Sequence, residues 1–380
     1  MTSPLPPEPV SPERVGPEPP KERRSDPWAI AMGIIGGVLL GTGLTFAILG
    51  YVGIFEEPVP PTIPPAPTLT VPPTSPPLTF GDDVSMASVA AHVVPSTVAV
   101  QVGSFFGEGS GSGVVYGTDG YIITNNHVIE VGGSISVVFV DGAEFPAQIV
   151  GSDPVTDIGV LLVDRGDLSP ITVGSSDSLS IGEPTVAVGN PLGLVGGPTV
   201  TSGIVSALNR SLEIPGDGIL YGLVQTDAPI APGSSGGALV DASGRLVGIT
   251  TAIAVSDVGS ADLGFAVPTE IAIGVANDLI ETGEVRHALL GINGTTAYAE
   301  ESEARYPVGV LVESVTDGST YEAAGGRVND VIVEVGGEDV KTLDALLSRL
   351  RRLRAGQSIP VRILRSDANT NLDVTLGLLP

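Results

Sequence analysis

From Thr97 onward the apolar residues of this chain come in short, punctuated runs, and that pattern limits its fold more than any other feature. Thr97-Val-Ala-Val-Gln-Val alternates with the two-residue period of a strand. Ile135-Ser-Val-Val-Phe-Val, Ile158-Gly-Val-Leu-Leu-Val, Thr185-Val-Ala-Val and Leu246-Val-Gly-Ile are aliphatic and β-branched, each bounded by Gly, Asp, Ser or Asn. Regular short strands of this kind imply an all-β sandwich or barrel. The 51 Gly and 33 Pro among 380 residues suit the many turns such a fold needs.

Two helices interrupt the strands. One is expected near 270–282, with Thr269 as N-cap, Ile271, Val275 and Leu279 on one face and Gly283 as its stop. It closes a first domain, 81–285. A second domain, 286–380, is expected to hold strands at Val308–Val312 and Val331–Val335 and an amphipathic helix at 342–354. Arg349, Arg351, Arg352 and Arg354 crowd the end of that helix, where cations suit the dipole, and read as a solvated face.

The segment before residue 81 has a different character. Pro27 to Phe55 is a run of 29 residues without a charge, whereas a helix needs about 20 apolar residues to cross a bilayer. Lys21, Arg23 and Arg24 precede it, Glu56 and Glu57 follow, and the next basic residue is Arg165. That asymmetry predicts a transmembrane helix at 28–55 with a cytoplasmic, disordered tail at 1–27 and the remainder outside the cell membrane. A cleaved signal peptide, with an apolar stretch of about 7–15 residues and an A-x-A site, fits the run less well. Gly33, Gly37 and Gly41 share a helix face that would permit close helix contact. The linker 56–80 contains ten prolines within 58–77 and should be an extended spacer.

Charge and composition exclude several functions. Residues 81–285 hold 23 acidic and 3 basic residues, a net charge of −20 that repels nucleic acid. With no Cys and three His, the chain has no disulfide, no thiol nucleophile and little with which to build a metal site.

The chemistry concentrates around Ala231-Pro-Gly-Ser-Ser-Gly-Gly-Ala-Leu. Glycines on either side of Ser235 permit a tight turn that exposes its hydroxyl and lets the amides of Gly233, Ser234 and Ser235 converge as an oxyanion hole. A serine needs an adjacent base. His127, at the end of the apolar strand Tyr121-Ile-Ile-Thr, is better placed than His92 or His287. Asp157, just before Ile158–Val163, could orient that base; Asp153 reads as a turn former.

These residues carry a resemblance. Thr124-Asn-Asn-His-Val, Asp153-Pro-Val-Thr-Asp-Ile-Gly-Val and Thr226-Asp-Ala-Pro-Ile-Ala-Pro-Gly-Ser-Ser-Gly-Gly resemble the three signature blocks of the HtrA/Deg serine proteases, with Asp 30 residues after His and Ser 78 residues after Asp. The likeness extends over about 84–380. It implies a mostly β fold: a chymotrypsin-like double β-barrel followed by a PDZ domain. It also implies cleavage of unfolded or misfolded proteins, no cofactor and no metal, and assembly as a homotrimer. The family usually has Asn where Ala231 and Ser234 stand. Thr250–Phe265 resembles the specificity loop and is small and apolar, which implies small or medium aliphatic side chains at the cleavage position. Asp227 is expected to be structural. Arg286-His-Ala-Leu-Leu-Gly-Ile resembles a PDZ carboxylate loop, so Leu290, Gly291 and Ile292 are expected to bind peptide C-termini. Asn329 stands where the usual residue is Gly, and Asn tolerates a left-handed backbone.

Activity is expected to rise as His127 loses its proton, near the imidazole reference of about 6.5. Two other readings compete. Gly233-Ser-Ser-Gly-Gly also satisfies the nucleophile elbow of α/β-hydrolases, but that fold needs its His after the Ser, and only His287 qualifies. A catalytically latent chaperone or peptide-binding scaffold with an idle triad is the second, and acylation by a fluorophosphonate separates it from a protease. Gly107-Glu-Gly-Ser-Gly-Ser-Gly lacks the Lys and following helix of a phosphate loop.

Overall fold

A computed structural model describes residues 85–104, 107–190, 197–214, 218–254, 263–301, 304–366 and 368–379. The expected tail, transmembrane helix and Pro-rich linker at 1–80 lie outside the described residues, as does half of the expected specificity loop, 255–262. Among the described residues no helix is long and apolar enough to cross a membrane.

The punctuated runs form two closed antiparallel barrels. The first holds β1 (Thr97–Ser104), β2 (Gly107–Val115), β3 (Tyr121–Thr124), β4 (Ser134–Val138), β5 (Glu144–Asp153) and β6 (Ile158–Val163), in the order β1-β2-β3-β6-β5-β4. The second holds β7 (Pro184–Gly189), β8 (Thr199–Ile214), β9 (Gly218–Thr226), β10 (Ala238–Asp241), β11 (Leu246–Ala254) and β12 (Leu263–Pro268), in the order β10-β11-β12-β9-β8-β7. This is the double barrel that the resemblance implied.

The strand pleat explains why β3 and β6 are apolar throughout rather than alternating. Successive side chains point to opposite faces, and here both faces are buried. Ile122, Leu161 and Val163 fill the first barrel with Val98 and Val100. Ile123, Ile158 and Val160 face the other way, into a core shared with Val186, Val188 and Ile249 of the second barrel. Each barrel thus buries one face of β3 and β6 and braces the seam between them.

Helix α1 (Met86–Val93) seats Val89 and Val93 in the shared core, and the single turn α2 (Asn126–Ile129) follows β3. Helix α3 (Thr269–Thr282) seats Ile271, Val275 and Leu279 in the shared core. Gly283 ends it at φ +78°, donating to the Leu279 carbonyl, as the pattern predicted. The start differs. Thr269 is the first helical residue rather than the cap; Pro268 precedes it, and the Thr269 hydroxyl donates to the Leu246 carbonyl at 3.0 Å, tying the helix to β11.

The C-terminal part is a PDZ-like β domain. β13 (Ala288–Leu289) pairs with β20 (Gly377–Leu378). β14 (Ile292–Glu301), β15 (Ala304–Val315), β16 (Val331–Val335), β18 (Ser358–Arg365) and β19 (Ala368–Thr375) form a sheet in that order, with β17 (Glu338–Asp339) beside β16. The short α4 (Thr320–Ala323) and α5 (Leu343–Arg351) complete it. The Thr342 hydroxyl caps α5 by accepting from the Ala345 amide at 3.1 Å, and Leu346 and Leu350 enter the core. Asn329 adopts φ +68°.

The α5 arginines do not form the solvated face expected of them. Arg352 pairs with Asp177, Arg354 with Asp278 of α3 at 2.7 Å, and Arg349 with Glu338 at 2.5 Å. The helix packs on β9. The guanidinium of Arg351 is pushed below its usual range by burial, opposed by the charge of Asp153. The cationic helix end thus meets the acidic first domain.

Candidate active site

Three loops at the seam of the barrels bring the expected groups together. His127 lies in α2, immediately after β3. Its Nδ1 stands 2.9 and 3.0 Å from the two carboxylate oxygens of Asp157, and its backbone N–H donates to Asp157 Oδ1 at 3.0 Å. Both contacts orient ring and carboxylate together, and the His127 side chain remains 39% exposed.

Asp157 is buried at 8% exposure and sits at φ +57°, an uncommon backbone for a residue with a side chain. Two contacts hold it there. The Asn125 side-chain amide donates to its carbonyl at 2.7 Å. The buried Thr251 hydroxyl donates to its Oδ2. The Thr251 hydroxyl, with the His127 ring and backbone N–H, supplies the compensation that a buried carboxylate needs.

Ser235 enters the same cluster through Thr251, since its Oγ donates to the Thr251 carbonyl at 2.9 Å. The loop around it is built by close approaches that only glycine permits. Gly236 has φ +88°, and a Cβ there would come within 2.1 Å of the Ser112 carbonyl. Gly233 also has φ +88°. Ser112 anchors the loop from β2: its amide donates to the Ser235 carbonyl at 2.7 Å, and its Oγ donates to the Gly233 carbonyl at 2.8 Å. The same Oγ accepts from the Asn190 amide at 2.8 Å. Thr124 then donates to the Ser112 carbonyl at 2.7 Å.

Of the three expected oxyanion donors, Ser234 is otherwise engaged. Its N–H donates to the Ala231 carbonyl at 2.9 Å, closing a turn within the loop. Its side chain faces a cavity of 400 Å³ lined by Ala187, Thr201, Ile230 and Ala231, so both positions that depart from the family's Asn border one space. Asp227 accepts the Ile204 amide at 2.7 Å.

Sequence reasoning missed Ser112 and Thr251, and gave Asn125 no role. A strand hydroxyl carries no local signal of its partner; the flanking Gly111 and Gly113 were the one available hint, since a Cβ on Gly111 would meet Val128 at 2.6 Å.

In the C-terminal domain, Leu290 is buried and its carbonyl accepts from the Tyr321 amide at 3.3 Å. Gly291 has φ +78°, accepts from the Thr316 amide at 2.9 Å and would strike Ser319 if it carried a Cβ. Ile292 begins β14, opposite Val315. Leu290 and Gly291 border a 240 Å³ concavity beside residues 316–320.

Comparison with known proteins identifies the two kinds of domain. Residues 111–249 match the profile of the trypsin-like peptidase domain, and 277–376 that of the PDZ domain. The periplasmic pH-dependent serine endoprotease DegQ of Escherichia coli is 38% identical over 77% of this chain and 70% of its own length. The serine protease PepD of Mycobacterium tuberculosis is 35% identical over 94% of this chain and 80% of its own. The solved structure of the HtrA-type protease AlgW with a tripeptide is similar at a TM-score of 0.64 and 36% identity, covering 78% of this chain and 98% of that one. The chain belongs to the HtrA family of serine endoproteases, joining a trypsin-like peptidase unit to one PDZ domain.

Proposed function

We propose that this endopeptidase works through His127, Asp157 and Ser235 and an acyl-enzyme. The observation that carries the reading is the hydrogen-bonded cluster His127–Asp157–Thr251–Ser235. Asp157 holds the His127 ring with Nδ1 toward the carboxylate, leaving Nε2 to act as base. The hydroxyl hydrogen of Ser235, directed at the Thr251 carbonyl, turns to Nε2 as Oγ attacks the scissile carbonyl. Protonated His127 then donates to the leaving amine, and water admitted to the site releases the acyl group by the reverse proton path. The amides of Gly233 and Ser235 stabilise the oxyanion, each worth about 3–4 kcal/mol in the transition state.

Unfolded or misfolded proteins are the proposed substrates, cut after small or medium aliphatic side chains, as the resemblance and the composition of Thr250–Phe265 imply. The PDZ domain takes peptide C-termini at Leu290, Gly291 and Ile292. In support, β14 is an edge strand among the described strands, able to receive a peptide as an added strand. The uncharged run 28–55 anchors the chain, the domains 81–285 and 286–380 lie outside the cytoplasm, and the assembly is a homotrimer by family resemblance. A fluorophosphonate tests the centre of this reading. Peptide mapping should find the phosphonyl adduct on Ser235 and lose it in Asp157→Asn; an adduct on Ser234, or none, contradicts it.

A further inference from the structure

His287 is buried at 5% exposure, and its ring Nε2 donates to Asp153 Oδ1 at 2.9 Å. The imidazole comes from the start of the PDZ-like domain; the carboxylate comes from the end of β5 in the protease. Asp153 also builds the turn 154–157. Its Oδ1 accepts the Val155 amide at 3.3 Å, and its Oδ2 accepts the Thr156 amide at 3.2 Å and the Thr156 hydroxyl. That turn ends at Asp157, whose left-handed backbone persists only where its neighbours over-determine it. One buried carboxylate therefore receives the PDZ-side ring and shapes the chain that presents Asp157.

Both ends of the contact are anchored. On the PDZ side, the Leu379 amide donates to the His287 carbonyl at 3.0 Å, and His287 bridges to Arg354, which pairs with Asp278 of α3. Arg351 of α5 is the further charge that faces Asp153. Burial opposes the Asp153 charge, but the His287 hydrogen bond, the Thr156 hydroxyl and the Val155 amide hold its carboxyl below the usual range.

We propose that His287 is a positioning residue of the protease: by holding Asp153 it sets the turn that aims Asp157 at His127. The inference rests on the triad reading above. It gives the PDZ-side segment a part in the geometry of the catalytic centre rather than only in peptide capture.

The test uses the full chain carrying His287→Ala, His287→Gln or Arg352→Ala. The readouts are kcat and KM on a chromogenic peptide, the pH midpoint of kcat, and the downfield proton signal of His127 Nδ1. Misaiming Asp157 should lower kcat on the order of 10–100-fold with KM nearly unchanged. It should also move the pH midpoint down, because His127 loses carboxylate support, and weaken the downfield signal. His287→Gln, whose amide nitrogen can reach Asp153, should restore most of all three. Arg352→Ala cuts a different interdomain pair, with Asp177, and should leave all three near wild type.

Wild-type kcat and signal in His287→Ala would overturn the proposal. So would an equal loss in Arg352→Ala, or no rescue by glutamine. Should the alanine variant fail to fold, His287→Asn, too short to reach Asp153, is judged by the same readouts. A wild-type chain without Ser235-dependent turnover would defeat the triad reading itself, and the His127 signal alone would then decide whether His287 positions Asp157.

Discussion

Replacing Ser112 by alanine should cost this enzyme far more rate than a buried methylene-sized change suggests. The Ser112 side chain is fully buried, and its one oxygen serves two loops, donating to the Gly233 carbonyl and accepting from the Asn190 amide, both at 2.8 Å. Alanine keeps the backbone bonds of residue 112 to Ser235 and Thr124 and removes only this bridge. Asn190 is 4% exposed, so its amide would be left buried without that acceptor, at about 1–3 kcal/mol. The Gly233 carbonyl is half-buried and can recover water, so its loss is nearer 0.5–1 kcal/mol, about that of an ordinary hydrogen bond. The total is about 1.5–4 kcal/mol. Expressed as lost alignment of the Gly233 and Ser235 amides, it predicts a kcat lower by about 10-fold to several hundred-fold, at about 1.4 kcal/mol per decade. Expressed as stability, it predicts a Tm lower by about 3–16 °C. Steady-state kinetics and calorimetry on the full chain read the two together. A kcat within about twofold of wild type beside a clear fall in Tm would show that the bridge holds the fold but not the oxyanion loop, and would refute the reasoning.

Three further perturbations have definite outcomes. Asp157→Asn preserves shape but lets His127 take the wrong tautomer; kcat should fall by about 10⁴-fold, and a loss below tenfold would remove Asp157 from the mechanism. Gly236→Ala would place a Cβ 2.1 Å from the Ser112 carbonyl at φ +88°, so fluorophosphonate labelling should vanish while the PDZ-like domain stays folded by circular dichroism; wild-type labelling would contradict the loop geometry. Asp330 is buried, and although burial opposes its charge, Arg365, the Arg327 amide and the Tyr321 hydroxyl hold its carboxyl below the usual range. A depressed folded pKa means stability that is present above the unfolded value of about 3.9 and lost as pH falls below it. Asp330→Asn should therefore lower Tm at neutral pH and flatten its acid dependence; an unchanged acid slope would exclude the linkage.

The strands and the catalytic blocks were legible because their signals are local. Thr97–Val102, Ile158–Val163 and Leu246–Ile249 carry their own periodicity and bounding turns. The turns at His127 and Ser235 could be proposed because Asn and Gly mark them. What the sequence hid depends on partners distant in the chain. Ser112 and Thr251 are ordinary strand hydroxyls until the barrels close and bring Asn190, Gly233 and Asp157 to them. The α5 arginines looked solvated because nothing within their own helix reveals Asp177, Asp278 or Asp153. Thr269 had the composition of a cap, but the carbonyl of Leu246 competes for its hydroxyl. His287 shows no local sign of Asp153, which lies 134 residues earlier.

The most direct test of the account is casein hydrolysis by the full chain, with Ser235→Ala and Ser234→Ala measured beside it. The account predicts that Ser235→Ala abolishes cleavage while Ser234→Ala retains it, because the hydroxyl of Ser235 is joined through Thr251 to Asp157 and His127, whereas Ser234 faces the neighbouring cavity. Cleavage that survives Ser235→Ala, or is lost only with Ser234→Ala, would contradict it.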